Sequence, residues 1–125
     1  MSGITERVNM DEIIYFYTSP DVMIDNRGLH SFSLIRSIIE VLDYYGVKDF
    51  TAEDVSLIFK GIGMVQGTNG RLFTPSAKKI HGVFECFIMP GKYSLSIHDN
   101  VFHIESWDHT GYKYEIEYAR SNGKL

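Results

Sequence analysis

Apolar positions along this chain follow two different rhythms. In residues 31–45 they recur every three to four positions, with Leu34, Ile35, Ile38, Ile39, Leu42 and Tyr45 on one stripe and Gly46 where a left-handed C-cap belongs. That spacing predicts a long amphipathic helix. The segment Phe50-Thr51-Ala52-Glu53-Asp54-Val55 then offers Thr51 as N-cap, acidic residues in the first turn, and Phe50 with Val55 as a hydrophobic staple, predicting a second helix that ends near Ile62. Thr74-Pro75-Ser76 reads as a cap followed by proline at the first helical position, predicting a short third helix that Gly82 stops after His81.

Elsewhere the rhythm is that of strands. Ile13-Ile14-Tyr15-Phe16-Tyr17 is apolar on both alternating faces and predicts an interior strand, with turn-rich Thr18-Ser19-Pro20-Asp21 and Asp25-Asn26-Arg27-Gly28 after it. Beyond Gly82, runs over 82–89, 92–98, 101–106 and 112–118 are separated by Pro90-Gly91, Asp99-Asn100 and a loop ending at Gly111, the pattern of an antiparallel meander. A two-residue turn at Asp99-Asn100 sets His98 opposite Val101, Ile97 opposite Phe102, Ser96 opposite His103, Leu95 opposite Ile104 and Ser94 opposite Glu105. The neighbouring connections, read the same way, put Glu85 beside Ser96 and Glu115 beside His103. The parity of all three connections agrees. It gives a core face of Phe84, Cys86, Ile88, Tyr93, Leu95, Ile97, Phe102, Ile104, Tyr114 and Ile116, and an outer row of Glu85, Ser96, His103 and Glu115.

The predicted fold is therefore a single α+β domain over residues 1–125: an N-terminal strand, two main helices plus a short third, then a four-stranded antiparallel meander with helices packed on one face. Residues 1–11 and 119–125 are expected to be loose tails. Composition narrows the setting. With 125 residues and 44% hydrophobic content the chain can fill one core unaided. The single cysteine, Cys86, excludes a disulfide framework and fits a reducing, cytoplasmic setting. Apolar runs reach only about five residues and the N-terminus has no apolar signal region, so no membrane partner is expected.

A formal charge of −4, with Lys and Arg scattered singly, argues against nucleic acid as a partner. That function would require Arg27, Arg36, Lys60, Arg71, Lys78 and Lys79 to converge in space. The stretch Gly61-Ile62-Gly63-Met64-Val65-Gln66-Gly67 follows a helix rather than a strand and lacks the Lys-Ser/Thr pair of a phosphate loop, so it reads as a hinge at a helix end.

The histidines are the remaining candidates for chemistry. Ser96, His103 and Glu115 supply the residue types of a nucleophile, a base and an orienting carboxylate, the arrangement a small hydrolase would need. In-register strands, however, spend their backbone N–H groups on the ladder and leave no oxyanion donors. A metal would have to draw on His98, His103, His109, Asp99 and Asp108, which are dispersed over turns and strands. No metal and no cofactor is expected. His30 and His81 stand near helix ends, where a capping or core role is usual. Cys86 on an apolar face would be a poor nucleophile.

Asn26-Arg27-Gly28 entering a helix that ends Tyr44-Tyr45-Gly46, followed by a capped second helix and a closing antiparallel sheet, resembles the layout of papain-like C39 peptidase domains over most of the chain. Arg27 stands where that family has its cysteine, and Lys92-Tyr93 where a histidine opens a sheet strand. The resemblance therefore implies an inactive relative that binds rather than cuts. Taken together, the expected function is non-catalytic protein binding, as an adaptor, inhibitor or accessory factor whose partner is another protein, a second copy of itself included. The expected surface combines Val83, Phe87 and Met89, apolar side chains on the outer face, with Glu85, His103 and Glu115.

Overall fold

The computed structural model describes residues 3–19, 31–63, 65–66, 72–88, 94–106 and 110–125. Met89, the turns expected at residues 25–28 and 90–91, and the positions Arg27 and Lys92-Tyr93 lie outside these. Among the described residues the chain mixes five α-helices with a three-stranded antiparallel sheet and a small two-stranded one.

After a 3-10 turn at Ile4–Glu6, helix α1 spans Met10–Thr18. This segment was expected to be a strand. Five consecutive apolar residues carry no period of their own, and the decision rests on the flanks. Asn9 caps the helix by accepting from Glu12 N at 3.2 Å, and the buried positions Ile13, Phe16 and Tyr17 then follow helical spacing. Helix α2, Ser31–Tyr44, and helix α3, Ala52–Ile62, stand where the periodicity put them. Thr51 and Asp54 form a reciprocal capping box at the start of α3, and Gly63 ends it at φ +96, a conformation that favours glycine.

Between α2 and α3 a two-residue strand β1, Asp49–Phe50, joins the sheet. Strands β2, Val65–Gln66, and β3, Leu72–Phe73, pair with each other in the crossing that follows α3. Helix α4 spans Ala77–Glu85, later and longer than expected. Its cap is Ser76, accepting from Lys79 N at 3.2 Å, and Gly82 lies inside the helix rather than stopping it. Ile80, Val83, Phe84 and Phe87 are buried at three-to-four spacing, so residues 82–87 of the strand expected at 82–89 are helix and turn.

Strands β4, Ser94–His98, and β5, Val101–Ser106, form the expected hairpin. Asp99 and Asn100 both adopt positive φ, +50 and +64, as a tight turn with two left-handed residues demands. The register matches from Leu95 opposite Ile104 to His98 opposite Val101. A bulge then sets Ser94 opposite Ser106, where Glu105 was expected. β5 is the central strand, in the order β1-β5-β4.

The last element overturns the fourth meander strand: helix α5 covers Thr110–Ser121. Tyr112, Ile116 and Ala119 are its buried residues, and Tyr114, expected in the core, is exposed. Within the segments expected to be loose tails, Ile4 of the 3-10 turn and Ala119 of α5 are buried.

One buried cluster draws on the 3-10 turn, all five helices and the sheet. On its sheet side Phe50 meets Phe84 at 5.7 Å, and Phe84 meets Phe102 edge-on at 5.2 Å. On its helix side Tyr112 lies 4.8 Å from Phe16 and 5.3 Å from Tyr44 between ring centres.

Candidate functional site

The sequence pointed to the outer face of the meander, and the structure keeps its centre while scattering its edges. Ser96 and His103 are cross-strand neighbours, as expected. Glu85 is on α4 and Glu115 on α5, a helix that packs against α1 and α2. His103 instead meets Asp49 of β1, Nδ1 to Oδ1 at 2.7 Å, and Glu105 two residues along its own strand, Nε2 to Oε1 at 3.6 Å. The three residues expected for a hydrolase are thus not assembled. His103 is flanked by carboxylates on a half-exposed strand surface.

The expected binding surface divides similarly. Val83 and Phe87 are buried in the core, because helical spacing turns both inward, and Arg36 lies 5.4 Å above the Phe87 ring as a cation–π partner. Glu85 is exposed and faces His81, Oε1 to Nε2 at 3.2 Å. Cys86, expected to face the core, is exposed and donates its thiol to Gly82 O.

An open cleft of about 700 Å³ lies where α4 meets the start of α3 and the β4–β5 turn, lined by Glu53, Lys78, His81, Glu85 and Asn100 with Ala77 and Gly82. Its lining mixes both signs of charge. Lys78 therefore stands among carboxylates rather than in a basic stripe, Arg36 covers Phe87, and Arg27 and Arg71 lie outside the described residues. Among the described residues no three His, Cys, Asp or Glu side chains are grouped to hold a metal ion, and no helix is long and apolar enough to cross a membrane.

Two features escaped the sequence reading. The first is a buried polar chain. Tyr112 donates to the Tyr45 hydroxyl at 2.6 Å, and Tyr45 donates to Glu12 Oε1 at 2.7 Å. Arg120 grips Glu12 Oε2 through Nε and Nη2 and reaches the Tyr44 hydroxyl. Burial pushes the Tyr112 and Tyr45 hydroxyls above the ordinary tyrosine value. The Arg120 guanidinium is raised by its bond to Glu12.

The second is on the opposite side of α5. Tyr114 and Tyr118 are 64% and 52% exposed, and their rings stack one helical turn apart with centres 6.1 Å apart and planes at 22°. Both features follow from a helical period that the alternation Tyr112, Tyr114, Ile116, Tyr118 concealed.

Compared with protein-family models, with curated proteins and with solved structures, the chain matches none. The expected resemblance to papain-like C39 peptidase domains included a closing antiparallel sheet, and residues 110–121 form helix α5 in place of its last strand.

Proposed function

We propose that this domain is a non-catalytic protein-binding module of the cytoplasm, an adaptor, inhibitor or accessory factor, and that its partner is met by the outer face of α5. The stacked pair Tyr114–Tyr118 carries the reading. Both tyrosines are more than half exposed, which leaves two large aromatic side chains in water on one face of the helix. Tyrosine offers a large amphipathic contact surface at the cost of two torsions, and stacking one ring on the other restricts both before any partner arrives. Lys113 and Glu117, exposed beside them, supply a polar rim. The hydrolase reading has no comparable support, since His103 engages Asp49 and Glu105 on an open strand surface rather than Glu115 in a walled pocket.

The test is affinity capture from the native host with the wild-type domain and with Tyr114→Ala/Tyr118→Ala, then calorimetry on the protein identified. A stoichiometric partner should bind the double variant at least about a hundredfold more weakly, as loss of a central aromatic pair does. Circular dichroism should show the variant folded, because both rings are exposed. Equal affinity for the two forms, or turnover of an ester or peptide substrate that depends on His103, would overturn the proposal.

A further inference from the structure

We infer that the outer face of α5 takes an arginine side chain presented by a protein segment, its guanidinium lying on the Tyr114–Tyr118 stack and gripped by Glu115 or Glu117. This names the chemistry of the partner proposed for α5 and rests on that reading.

Helical spacing builds the surface. Tyr114 and Tyr118 stand one turn apart and stack with ring centres 6.1 Å apart. Glu117 comes three residues after Tyr114, and Glu115 three before Tyr118, so each carboxylate is the helical neighbour of one ring. At about 100° per residue the two glutamates lie about 80° to either side of the line through the rings. Negative charge therefore flanks the aromatic stack on both sides.

Within the described residues that charge is not neutralised. The side chains of Glu115 and Glu117 make no hydrogen bond or ion pair there, and neither do the hydroxyls of Tyr114 and Tyr118. Lys113 is spaced to meet Glu117 but forms no pair with it, and Arg120 is committed to Glu12.

These groups select among occupants. An anion would meet two carboxylates, and a wholly apolar segment would bury them without partners, so both are disfavoured. A cation gains twice, since the faces of tyrosine rings attract it and the carboxylates pair with it. Arginine fits better than lysine, because a planar guanidinium lies flat on a ring while its edge donates to a carboxylate, whereas an ammonium holds its hydration shell. Arg36 already lies over an aromatic ring within this fold, 5.4 Å from the centre of Phe87. The net charge of −4 favours the approach of a cationic segment.

The test is a proton NMR titration of the full chain, following the Tyr114 and Tyr118 ring signals, with two capped peptides of equal charge, one of three Gly-Arg-Gly units and one of three Gly-Lys-Gly units. The arginine peptide should shift both rings saturably with a Kd below about 5 mM, at least about threefold tighter than the lysine peptide. Glu115→Gln/Glu117→Gln should weaken it at least about fivefold. Glu6→Gln/Glu105→Gln, which removes the same charge from exposed positions elsewhere, should leave it within about twofold. Absence of saturable shifts overturns the inference, as does a lysine peptide that binds as tightly. Equal weakening by the two glutamine pairs also overturns it, since net charge alone would then explain the binding. The docking reading fails or stands separately: a captured partner whose affinity is lost in Tyr114→Ala/Tyr118→Ala but unchanged in Glu115→Gln/Glu117→Gln keeps α5 as the docking face and overturns the arginine.

Discussion

The junction of α1, α2 and α5 and the outer face of the sheet each set a carboxylate beside a basic side chain, yet physically they have little in common. At the junction Glu12 is only 5% exposed and joins residues 108 positions apart in sequence through Arg120, with Tyr45 holding its other oxygen. On the sheet, Asp49 and Glu105 are both well exposed and His103 is half-exposed between them. Water screens the second group on both sides and reaches the first only through the half-exposed Arg120, the Glu12 carboxylate itself being buried. A buried ion pair need not add net stability compared with an apolar pair, but once formed it cannot lose one member cheaply. An exposed pair is nearly free to lose either. The same residue types therefore act as a lock in one region and as surface in the other.

That contrast can be broken first at the lock. Arg120→Met should destabilise the fold by about 2–4 kcal/mol in urea melts, the usual cost of stranding a buried charge, reduced because the guanidinium is itself half-exposed. A loss below about 1 kcal/mol would mean that Glu12 finds water or another donor at little cost.

The next effect is on pH. Tyr17, Tyr45 and Tyr112 all have hydroxyl values raised above the ordinary tyrosine value of about 10, in each case chiefly by burial. A raised folded value means that the folded state holds its proton longer than the unfolded one. The stability these groups contribute is complete below about pH 10 and is lost as pH rises above it, at up to about 1.4 kcal/mol per pH unit for each. Urea midpoints should stay flat to about pH 9 and fall beyond about pH 10, and Tyr112→Phe should make that fall shallower. The smallest effect belongs to the sheet surface. Asp49→Asn and His103→Gln should each change stability by less than about 0.5 kcal/mol, and raising the salt concentration should shrink even that.

Legibility in the sequence divided along a related line. Helices α2 and α3 and the β4–β5 hairpin were readable because each carries its own instructions: a full apolar stripe, a capping box at Thr51 and Asp54, and two turn residues suited to positive φ. Residues 13–17 and 112–118 were not, because their local patterns fit either state. Tyr-Lys-Tyr-Glu-Ile-Glu-Tyr alternates as a strand would, yet it also places Tyr112 and Ile116 on one helical face, and contact with Phe16, Tyr44 and Glu12's hydrogen-bonded chain favours the helix. Asn9 three residues before Glu12 was the available signal for α1. The error at α5 concealed both the lock and the exposed tyrosine pair, since strand parity had assigned Tyr114 to the core. The central pair of the candidate row, Ser96 and His103, was found because it lies in the one hairpin whose turn fixes its register.

Two double-mutant cycles measured under one set of conditions compare the regions most directly: Glu12→Gln with Arg120→Met, and Asp49→Asn with His103→Gln, each read as a coupling free energy from urea unfolding. A buried lock and an exposed surface pair should give about 1.5–3 kcal/mol for the first cycle and less than about 0.5 kcal/mol for the second. Equal couplings, or a larger one at His103, would contradict the account and make the sheet face the structural centre of the molecule.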